Sequence, residues 1–400
     1  MHSRRDFLKS STLLALAPTV PGFLAQTARA AKLDREGRIL VVVQLDGGND
    51  GINTVVPLKD EGYAKHRKIL RLPRSALLSV IDEVGLHPAM GDAVKLLEKN
   101  QLAVVQAVGY PNPNRSHFES MAIWQTARYD ASERHDLGWI GRALDDAQIP
   151  TGGVPGSVFI GAGELPTALR GRKSVASGLT RPEDFVLAAA AKPKPGVAAP
   201  LPREDLAAFV GRSALDSYAT ADRMAGILRA KDDRAPYPAT DLAGHLRLIA
   251  GLIKAATGTR IYYTKQSGYD THASQLGTHA ALLSELTGGL KAFLDDLSAS
   301  KLAERVVVLA FSEFGRTVKE NGSAGTDHGT AGPVFLAGPA LKTRLVGCTP
   351  SLTDLDPKHG DLRVGIDFRR LYATILEDWL GLPSAQPLGG AFKRLVLFRE

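Results

Sequence analysis

The feature that most constrains the fold is an apolar run that ends at an acid, within residues 305–339. Val306 to Phe311 are six consecutive apolar residues, which is typical of a parallel strand buried on both faces. The run stops at Ser312-Glu313, and a glycine-rich loop carrying Asp327-His328 leads to a second apolar run at 333–337. Because open α/β sheets bind ligands at the carboxyl ends of their strands, the pattern predicts a site at one sheet edge.

Apolar runs and helical patterns alternate through the rest of the chain. Helices and buried strands in alternation predict an α/β fold, a three-layer sandwich with a largely parallel central sheet. Further strands are predicted at 38–45, at 102–108 and around 260–264. Helices are predicted at 88–99, from Ser116 (which is placed to cap its helix), across 204–257 and at 280–297.

The N-terminus predicts an exported protein. Arg4-Arg5 form a twin-arginine pattern, followed by an apolar stretch at 12–24 and by Ala28-Arg29-Ala30, a signal-peptidase pattern. We therefore predict a cleaved twin-arginine signal over 1–30, recognised by the twin-arginine export machinery, and a periplasmic or extracellular protein. Two prolines interrupt the apolar stretch, which is too short to cross a bilayer, so no stable membrane span is expected.

Composition is ordinary for a globular enzyme, with 44% hydrophobic and 23% charged residues. Of the net charge of +7, the leader contributes four basic residues against one acidic residue, which leaves +4 on 31–400. This small excess, without a basic-aromatic cluster, predicts no nucleic-acid partner. Cys348 is the only cysteine, so neither an intramolecular disulfide nor a cysteine metal site is expected. Residues 31–400 are predicted to form one domain, with a cap or insertion around 152–202 that includes a Pro/Gly/Ala-rich stretch.

Polar residues follow or precede five of the predicted strands. A glycine-rich Asp or Asn turn after one strand is usually only a turn. Because the carboxyl ends of parallel strands share an edge, the five sets are expected to converge. Carboxylates with imidazoles are ligands of zinc, and additional oxygens favour manganese, magnesium or calcium. The five sets are Asp46/Asn49/Asp50, Ser116/His117, Asp270/His272, Glu313 and Asp327/His328.

Four longer motifs carry a resemblance to a known family. They are VVVQLDGGNDGINTVVP from residue 41, GYPNPNRSHFESMAIWQT from 109, GYDTHASQ from 268 and FSEFGRTVKENGSAGTDHGTAGPVF from 311. Their order resembles the alkaline phosphatase-like superfamily, which includes phosphatases, sulfatases and phosphopentomutases. Over essentially the whole mature chain, the sequence more closely resembles the exported bacterial family called domain of unknown function 1501, placed in that superfamily. The resemblance implies an alkaline phosphatase-like fold.

The resemblance also implies a site for two divalent metal ions. Zinc or manganese is the expected metal, with magnesium and calcium as alternatives. Ser116 matches the nucleophile, and Arg115 is expected to hold oxygens of the ester. The resemblance implies Asp270, His272 and His328 as ligands of the first metal and Asp46 and Glu313 as residues of the second, with Asp327 as a contested ligand. Phe314 stands where the superfamily has a second-metal histidine; either His117 or Asp327 substitutes for that histidine, or the second site is degraded. In an alternative register Asp327-His328 is the superfamily's Asp-His pair, but the apolar strand directly before Glu313 favours the first register. The lone Cys348 lies far from the nucleophile position, which counts against a conventional sulfatase.

The predicted function is an exported, metal-dependent hydrolase of phosphate, sulfate or diester substrates that uses a serine nucleophile. Its substrate is expected to be a small or polymer-borne anionic ester. The irregular second-metal position supports a different class of function, a non-catalytic binding module on the same fold in the cell envelope. Metal content separates the two hypotheses, because a binding module does not require a bound metal.

Overall fold

The computed structural model describes residues 37–81, 83–147, 155–179 and 236–399. The predicted signal at 1–30, much of the predicted insertion and most of the 204–257 helical pattern lie outside the described residues. The described helices are α1 Gly51–Thr54, α2 Gly62–His66, α3 Gly91–Glu98, α4 His117–Thr126, α5 Trp139–Asp146, α6 Asp241–Lys254, α7 Gln275–Ala299, α8 Phe368–Thr374 and α9 Ala385–Leu388.

A central sheet and a small second sheet contain the described strands. The strands are β1 Ile39–Asp46, β2 Val55–Pro57, β3 Leu78–Ile81, β4 Val84–Leu86, β5 Leu102–Gly109, β6 Ser157–Ile160, β7 Ala176–Leu179, β8 Ile261–Ser267, β9 Val306–Phe311, β10 Gly332–Ala337, β11 Leu345–Val346 and β12 Ile366–Asp367. The central sheet has the order β11-β5-β10-β9-β1-β8-β6-β7, with β12 also paired to β5. Strands β2, β4 and β3 form the second sheet.

The central sheet is largely parallel, as the sequence predicts. β1 pairs in parallel with both β8 and β9, so that Val41 lies between Tyr262 and Val308. β10 is the exception, because it runs antiparallel to both β9 and β5. An antiparallel strand begins at the edge where its parallel neighbours end. The loop before β10 therefore lies at the carboxyl edge of β1, β5, β8 and β9.

Alternating side chains of β1 point into two separate cores, which confirms the three-layer sandwich. Val41 and Val43 pack in the core that contains residues of α3, α6 and α7. Leu40 and Val42 pack in the core that contains residues of α4, α5 and α8. A strand covered on both faces has no polar face, which explains why the sequence of β1 is a near-continuous apolar run, with Gln44 as its one polar residue before Asp46, rather than an alternating one.

The described part of the predicted insertion joins the central sheet. β6 pairs in parallel with β8, and β7 pairs in parallel with β6 at the sheet edge. Residues 155–179 therefore extend the sheet away from the loops that follow β5 and β9.

Candidate metal centre

Three histidine side chains surround one carboxylate oxygen at the carboxyl edge of the sheet. Asp270 Oδ1 lies 3.0 Å from His272 Nε2, 3.1 Å from His328 Nε2 and 3.3 Å from His117 Nε2. His272 Nε2 and His328 Nε2 are 3.0 Å apart. Ligand atoms of His117, Asp270 and His328 all lie within 4.8 Å of one another. This cluster, Asp270 with the three histidines, combines nitrogen and oxygen donors in the proportion that zinc sites use.

Separate structural elements deliver the cluster residues. Asp270 and His272 lie in the short loop between β8 and α7, and His117 is the first residue of α4. His328 lies in the long loop between β9 and β10, where it forms an isolated antiparallel bridge with Arg316. The cluster therefore depends on the sheet order, since its members are far apart in sequence.

The second ring nitrogen of each histidine contacts an oxygen. His117 Nδ1 lies 2.7 Å from Glu313 Oε1, His328 Nδ1 lies 2.7 Å from the Arg115 carbonyl, and His272 Nδ1 lies 3.1 Å from Asp327 Oδ1. Such acceptors favour a proton on Nδ1 and a lone pair on Nε2. His117 Nε2 is buried and has no hydrogen-bond partner among the described residues. These donors fit a divalent metal ion.

Asp270 is ionised across the ordinary pH range. Burial by itself raises its pKa, but the hydrogen bond from Arg316, the contact with His328 and the positive charge of Arg316 lower it to about 2. The pKa of Asp327 is also lowered, first by the hydrogen bond from Asn321 and then by its contact with His272. Two carboxylates thus face the histidines in their charged form.

Glu313 lies beneath the cluster. Its side chain is 1% exposed and accepts hydrogen bonds from Gly47 N at 3.0 Å and Gly48 N at 3.2 Å, and from Ser312 Oγ at 2.9 Å. It also contacts His117, whose pKa it raises through this hydrogen bond. The structure thus places Glu313 behind His117 rather than among the Nε2 atoms.

Asp46 and Phe314 flank the same region. Asp46 is half-buried at the end of β1, and its Oδ1 accepts a hydrogen bond of 2.9 Å from Gln44 Nε2. Phe314 is 3% exposed, and its ring centroid lies 5.0 Å from those of His117 and His328. Phe314 therefore forms an apolar wall of the cluster.

Arg316 joins the loops that carry the cluster. Its side chain is fully buried and donates to Asp270 Oδ1 at 2.6 Å. It also donates to backbone carbonyls of the loops after β1 and β8 and before β10, at Gly48 (2.8 Å), Tyr269 (2.9 Å), Thr326 (2.9 Å) and Gly47. The sequence analysis did not select Arg316; an arginine three residues after a strand-end glutamate was the available signal.

Ser116 and Arg115 precede α4. Ser116 occupies the N-cap position and is exposed, but its side chain makes no capping hydrogen bond within the described chain, so the expected cap is wrong. Its hydroxyl therefore stays available at the helix N-terminus. The Arg115 guanidinium pairs with the buried Asp361 and donates to the His359 carbonyl at 3.0 Å. Arg115 thus engages the 356–361 loop, and its Nε is buried without a partner among the described residues.

The family model of the protein of unknown function DUF1501 matches residues 38–388. The chain belongs to the DUF1501 family. No curated protein matches the sequence.

Several solved structures resemble this DUF1501 chain weakly. The C-terminal periplasmic domain of EptC from Escherichia coli, in complex with zinc, is 8% identical, with a TM-score of 0.36 over 76% of this chain and 73% of that one. An alkaline phosphatase superfamily protein from Vibrio parahaemolyticus is 9% identical, with a TM-score of 0.41 over 89% and 69%. The phosphonate monoester hydrolase of Silicibacter pomeroyi is 10% identical, with a TM-score of 0.38 over 89% and 75%. Scores this low assign no function to the DUF1501 chain.

In the described parts of the DUF1501 chain, no helix has the length and apolarity needed to cross a membrane.

Gly47 allows the loop after β1 to touch the loop after β8. Its φ is +120°, and a Cβ on it would lie 2.4 Å from the Asp270 backbone nitrogen. We expect Gly47→Ala to lower the free energy of unfolding by about 1–3 kcal/mol through strain. Urea denaturation measures this effect, with Gly322→Ala as control because no described atom lies within 4 Å of its added Cβ. Equal stabilities of the two variants would contradict the prediction.

A buried polar network lies under the cluster of Asp270 and the three histidines. Gln275 Oε1 accepts from Thr271 Oγ1 at 3.0 Å and from Thr326 Oγ1 at 2.6 Å, which ties the loop of Asp270 to the loop of His328. Gln275 Nε2 donates to Asp50, which forms a fully buried ion pair with Arg67. Asp50 therefore supports the loops from below, although the sequence placed it among the polar strand-end residues.

His279 belongs to this network and titrates abnormally. Its ring is 1% exposed, and its Nε2 lies 3.0 Å from Asn49 Oδ1 and 3.2 Å from Thr54 Oγ1. Burial lowers the pKa of His279 to about 4, although Asp50 opposes the shift. The sequence analysis did not treat this histidine as a site residue, because nothing in its local pattern shows that Asn49 lies beside it.

The pKa of His279 makes stability depend on pH. The unfolded chain binds a proton there below about pH 6.5, whereas the folded chain does not until about pH 4. Through His279, the free energy of unfolding is therefore highest above pH 6.5 and falls by about 3 kcal/mol as the pH drops to 4. We expect His279→Gln to remove that part of the slope in urea denaturation at pH 4 to 7. Parallel pH profiles of the variant and the wild type would show that His279 is not the titrating group.

Proposed function

We propose that this protein is an exported, metal-dependent hydrolase of phosphate or related esters with an alkaline phosphatase-like fold and Ser116 as its nucleophile. The observation that carries the proposal is the cluster of three histidine Nε2 atoms around Asp270 Oδ1. His117 belongs to this cluster and directly follows an exposed serine whose hydroxyl caps nothing. A metal-ligand cluster beside an uncommitted serine is the arrangement that ester hydrolysis by a serine nucleophile requires.

Asp270, His117, His272 and His328 are the residues that would hold the metal. With three imidazoles and one carboxylate, the donor set favours zinc over magnesium or calcium, and manganese remains an alternative. A divalent ion bound there supplies Lewis-acid stabilisation of negative charge on ester oxygens and lowers the pKa of an oxygen nucleophile. Asp327 then acts through His272, by holding its Nδ1 at 3.1 Å.

The N-terminus of α4 favours the anionic group of the substrate. The first N–H groups of a ten-residue helix have no intrahelical acceptors and carry the positive end of its dipole. In the proposed reaction, the Ser116 oxygen gives up its proton and bonds to phosphorus or sulfur, while the bond to the leaving oxygen breaks and that oxygen takes up a proton. Water then attacks the same phosphorus or sulfur and the bond to the Ser116 oxygen breaks. A proton from this water restores the Ser116 hydroxyl as phosphate or sulfate is released.

The export route is part of the proposal. The twin-arginine pattern and the small-residue cleavage pattern at 1–30 support passage of the folded chain across the membrane. We therefore place the activity in the periplasm or outside the cell, on small or polymer-borne anionic esters.

A binding module in the cell envelope is the second candidate. Arg115 favours it, because the guanidinium expected to hold ester oxygens is paired with Asp361 in this structure. A module of this kind needs neither the metal nor the Ser116 hydroxyl.

Metal-dependent turnover separates the two candidates. The mature chain, loaded with zinc or manganese, is assayed on aryl phosphates, phosphodiesters and aryl sulfates, before and after chelation. We expect hydrolysis of at least one class, lost on chelation and restored by the metal. Tight metal binding without hydrolysis of any class would favour the binding module.

A further inference from the structure

We infer that this site holds one divalent metal ion, and that the buried guanidinium of Arg316 provides the second positive charge. The inference deepens the proposed function, on which it rests for the presence of a metal. It departs from the two-metal site that the family resemblance implies. Three observations carry it, concerning the hydrogen bonds of Glu313, the surroundings of Arg316, and the residues Asp46 and Phe314.

Glu313 is the residue expected to bind the second metal, but its carboxylate is buried and already accepts hydrogen bonds. Two backbone N–H groups donate to its two oxygens, the His117 ring contacts Oε1, and the side chain is 1% exposed. The Ser312 hydroxyl lies 2.9 Å from Oε2, although its shorter contact, of 2.6 Å, is with the Leu45 carbonyl. A metal on these oxygens would compete with the backbone donors of the glycine loop after β1. Glu313 is therefore a positioning residue that orients His117, in the manner of a carboxylate behind a metal-binding histidine.

The surroundings of Arg316 are those of a bound cation. Carbonyl oxygens of Gly48, Tyr269 and Thr326 lie 2.8–2.9 Å from its nitrogens, and the Gly47 carbonyl is a further acceptor. A hard metal ion binds a set of converging carbonyl and carboxylate oxygens. Here oxygens of the same kinds accept hydrogen bonds from the planar guanidinium of Arg316. Arginine keeps its charge in proteins, so this cation is permanent.

Arg316 and the histidine cluster share one carboxylate. Asp270 Oδ1 accepts from Arg316 Nη2 at 2.6 Å and lies within 3.3 Å of the three Nε2 atoms. Asp270 therefore connects the permanent charge of Arg316 to the proposed metal position. A second metal next to this guanidinium would meet a like charge.

The remaining second-metal positions offer a single carboxylate, that of Asp46, whose Oδ1 accepts a hydrogen bond from Gln44. The place of a ligating histidine is taken by the buried Phe314 ring. The Phe314 ring packs against His117 and His328 at centroid distances of 5.0 Å. Phenylalanine has no ligand atom, so this side of the cluster is apolar.

Metal stoichiometry tests the inference without relying on activity. The mature chain is loaded with excess zinc, desalted and analysed by inductively coupled plasma mass spectrometry and zinc-edge X-ray absorption. We expect one zinc per chain, a nitrogen-dominated ligand shell and no zinc–zinc distance of the ~3.5–4 Å typical of two-metal sites. Two zinc ions per chain with such a distance would overturn the inference and leave the proposed function intact. Absence of bound zinc and manganese would overturn both.

Glu313→Gln provides the second readout. The amide keeps the size of the side chain and one acceptor oxygen, and the variant is expected to retain one zinc with an affinity weakened about 10- to 100-fold. Loss of one zinc from a two-zinc wild type would identify Glu313 as a ligand and contradict the inference. Glu320→Gln, at a half-buried carboxylate that accepts hydrogen bonds from the backbone N–H groups of residues 68–70, is the matched control and is expected to leave zinc affinity unchanged.

Discussion

Asp270→Asn is expected to remove the bound metal and to reduce ester hydrolysis by about 100-fold or more. Asparagine keeps the shape of the side chain but loses the charge on which the three histidine Nε2 atoms converge. Asp270 is ionised at neutral pH, because its pKa is lowered to about 2. It therefore attracts the metal ion with a full negative charge. Metal content and hydrolysis of an aryl phosphate, measured on the same preparation, check the prediction.

Thermal unfolding separates loss of metal from loss of fold. A metal that binds only the folded chain raises the unfolding temperature, so added zinc should stabilise the wild type and leave Asp270→Asn unchanged. Asp354→Asn is the matched control, because Asp354 is exposed and pairs only with the exposed Arg363. An Asp270→Asn protein that keeps its metal and its activity would exclude Asp270 as a ligand.

Ser116→Ala is expected to abolish turnover while the metal remains bound. Alanine removes the proposed nucleophile, and loss of a serine nucleophile costs on the order of 10⁴-fold or more in rate. The Ser116 side chain is exposed and makes no capping bond in the described chain, so its removal should leave the stability of the fold unchanged. Single-turnover assays and metal analysis of the same variant check both halves of the prediction.

Ser300→Ala is the control for this substitution, because Ser300 is an exposed serine at the opposite end of α7 from the cluster. We expect its rate and metal content to equal those of the wild type. Full activity of Ser116→Ala would remove Ser116 from the reaction and leave a metal-bound water as the alternative nucleophile. Normal metal binding with no activity in any protein, wild type included, would favour the binding module.

Five strands of the central sheet were predictable to within a few residues, namely β1, β5, β8, β9 and β10, whereas the shorter described strands were not predicted. The prediction for β9 matches its observed bounds, and that for β1 differs by one residue at each end. Both strands are covered on their two faces, so their sequences are mostly apolar runs, broken in β1 only by Gln44, that end at polar residues. The long helix α7 begins five residues before its predicted start, because the buried residue of its first turn is the polar Gln275, whereas the apolar Leu276 is exposed.

The reversed direction of β10 and the partners of the polar groups were not predictable. A buried antiparallel strand has the same apolar pattern as a parallel one, so residues 333–337 could not reveal their direction. Likewise, nothing near Glu313 in sequence shows that the glycine loop after β1 donates two N–H groups to it. Outside its own loop, Arg316 contacts residues that are 46 to 269 positions away in the sequence. Its contact with Thr326, in the same loop, spans 10 positions.

The sequence by itself determined the α/β class, the burial of the central strands and the set of polar residues at their ends. These follow from local composition, since an apolar run must leave water and polar residues mark where each run ends. Only the tertiary structure decided which polar residues meet: His117 with Asp270, Glu313 behind His117, and Arg316 among the carbonyls. That choice depends on strand order and on hydrogen bonds between loops distant in sequence, because a buried polar group is stable only when other segments supply its partners.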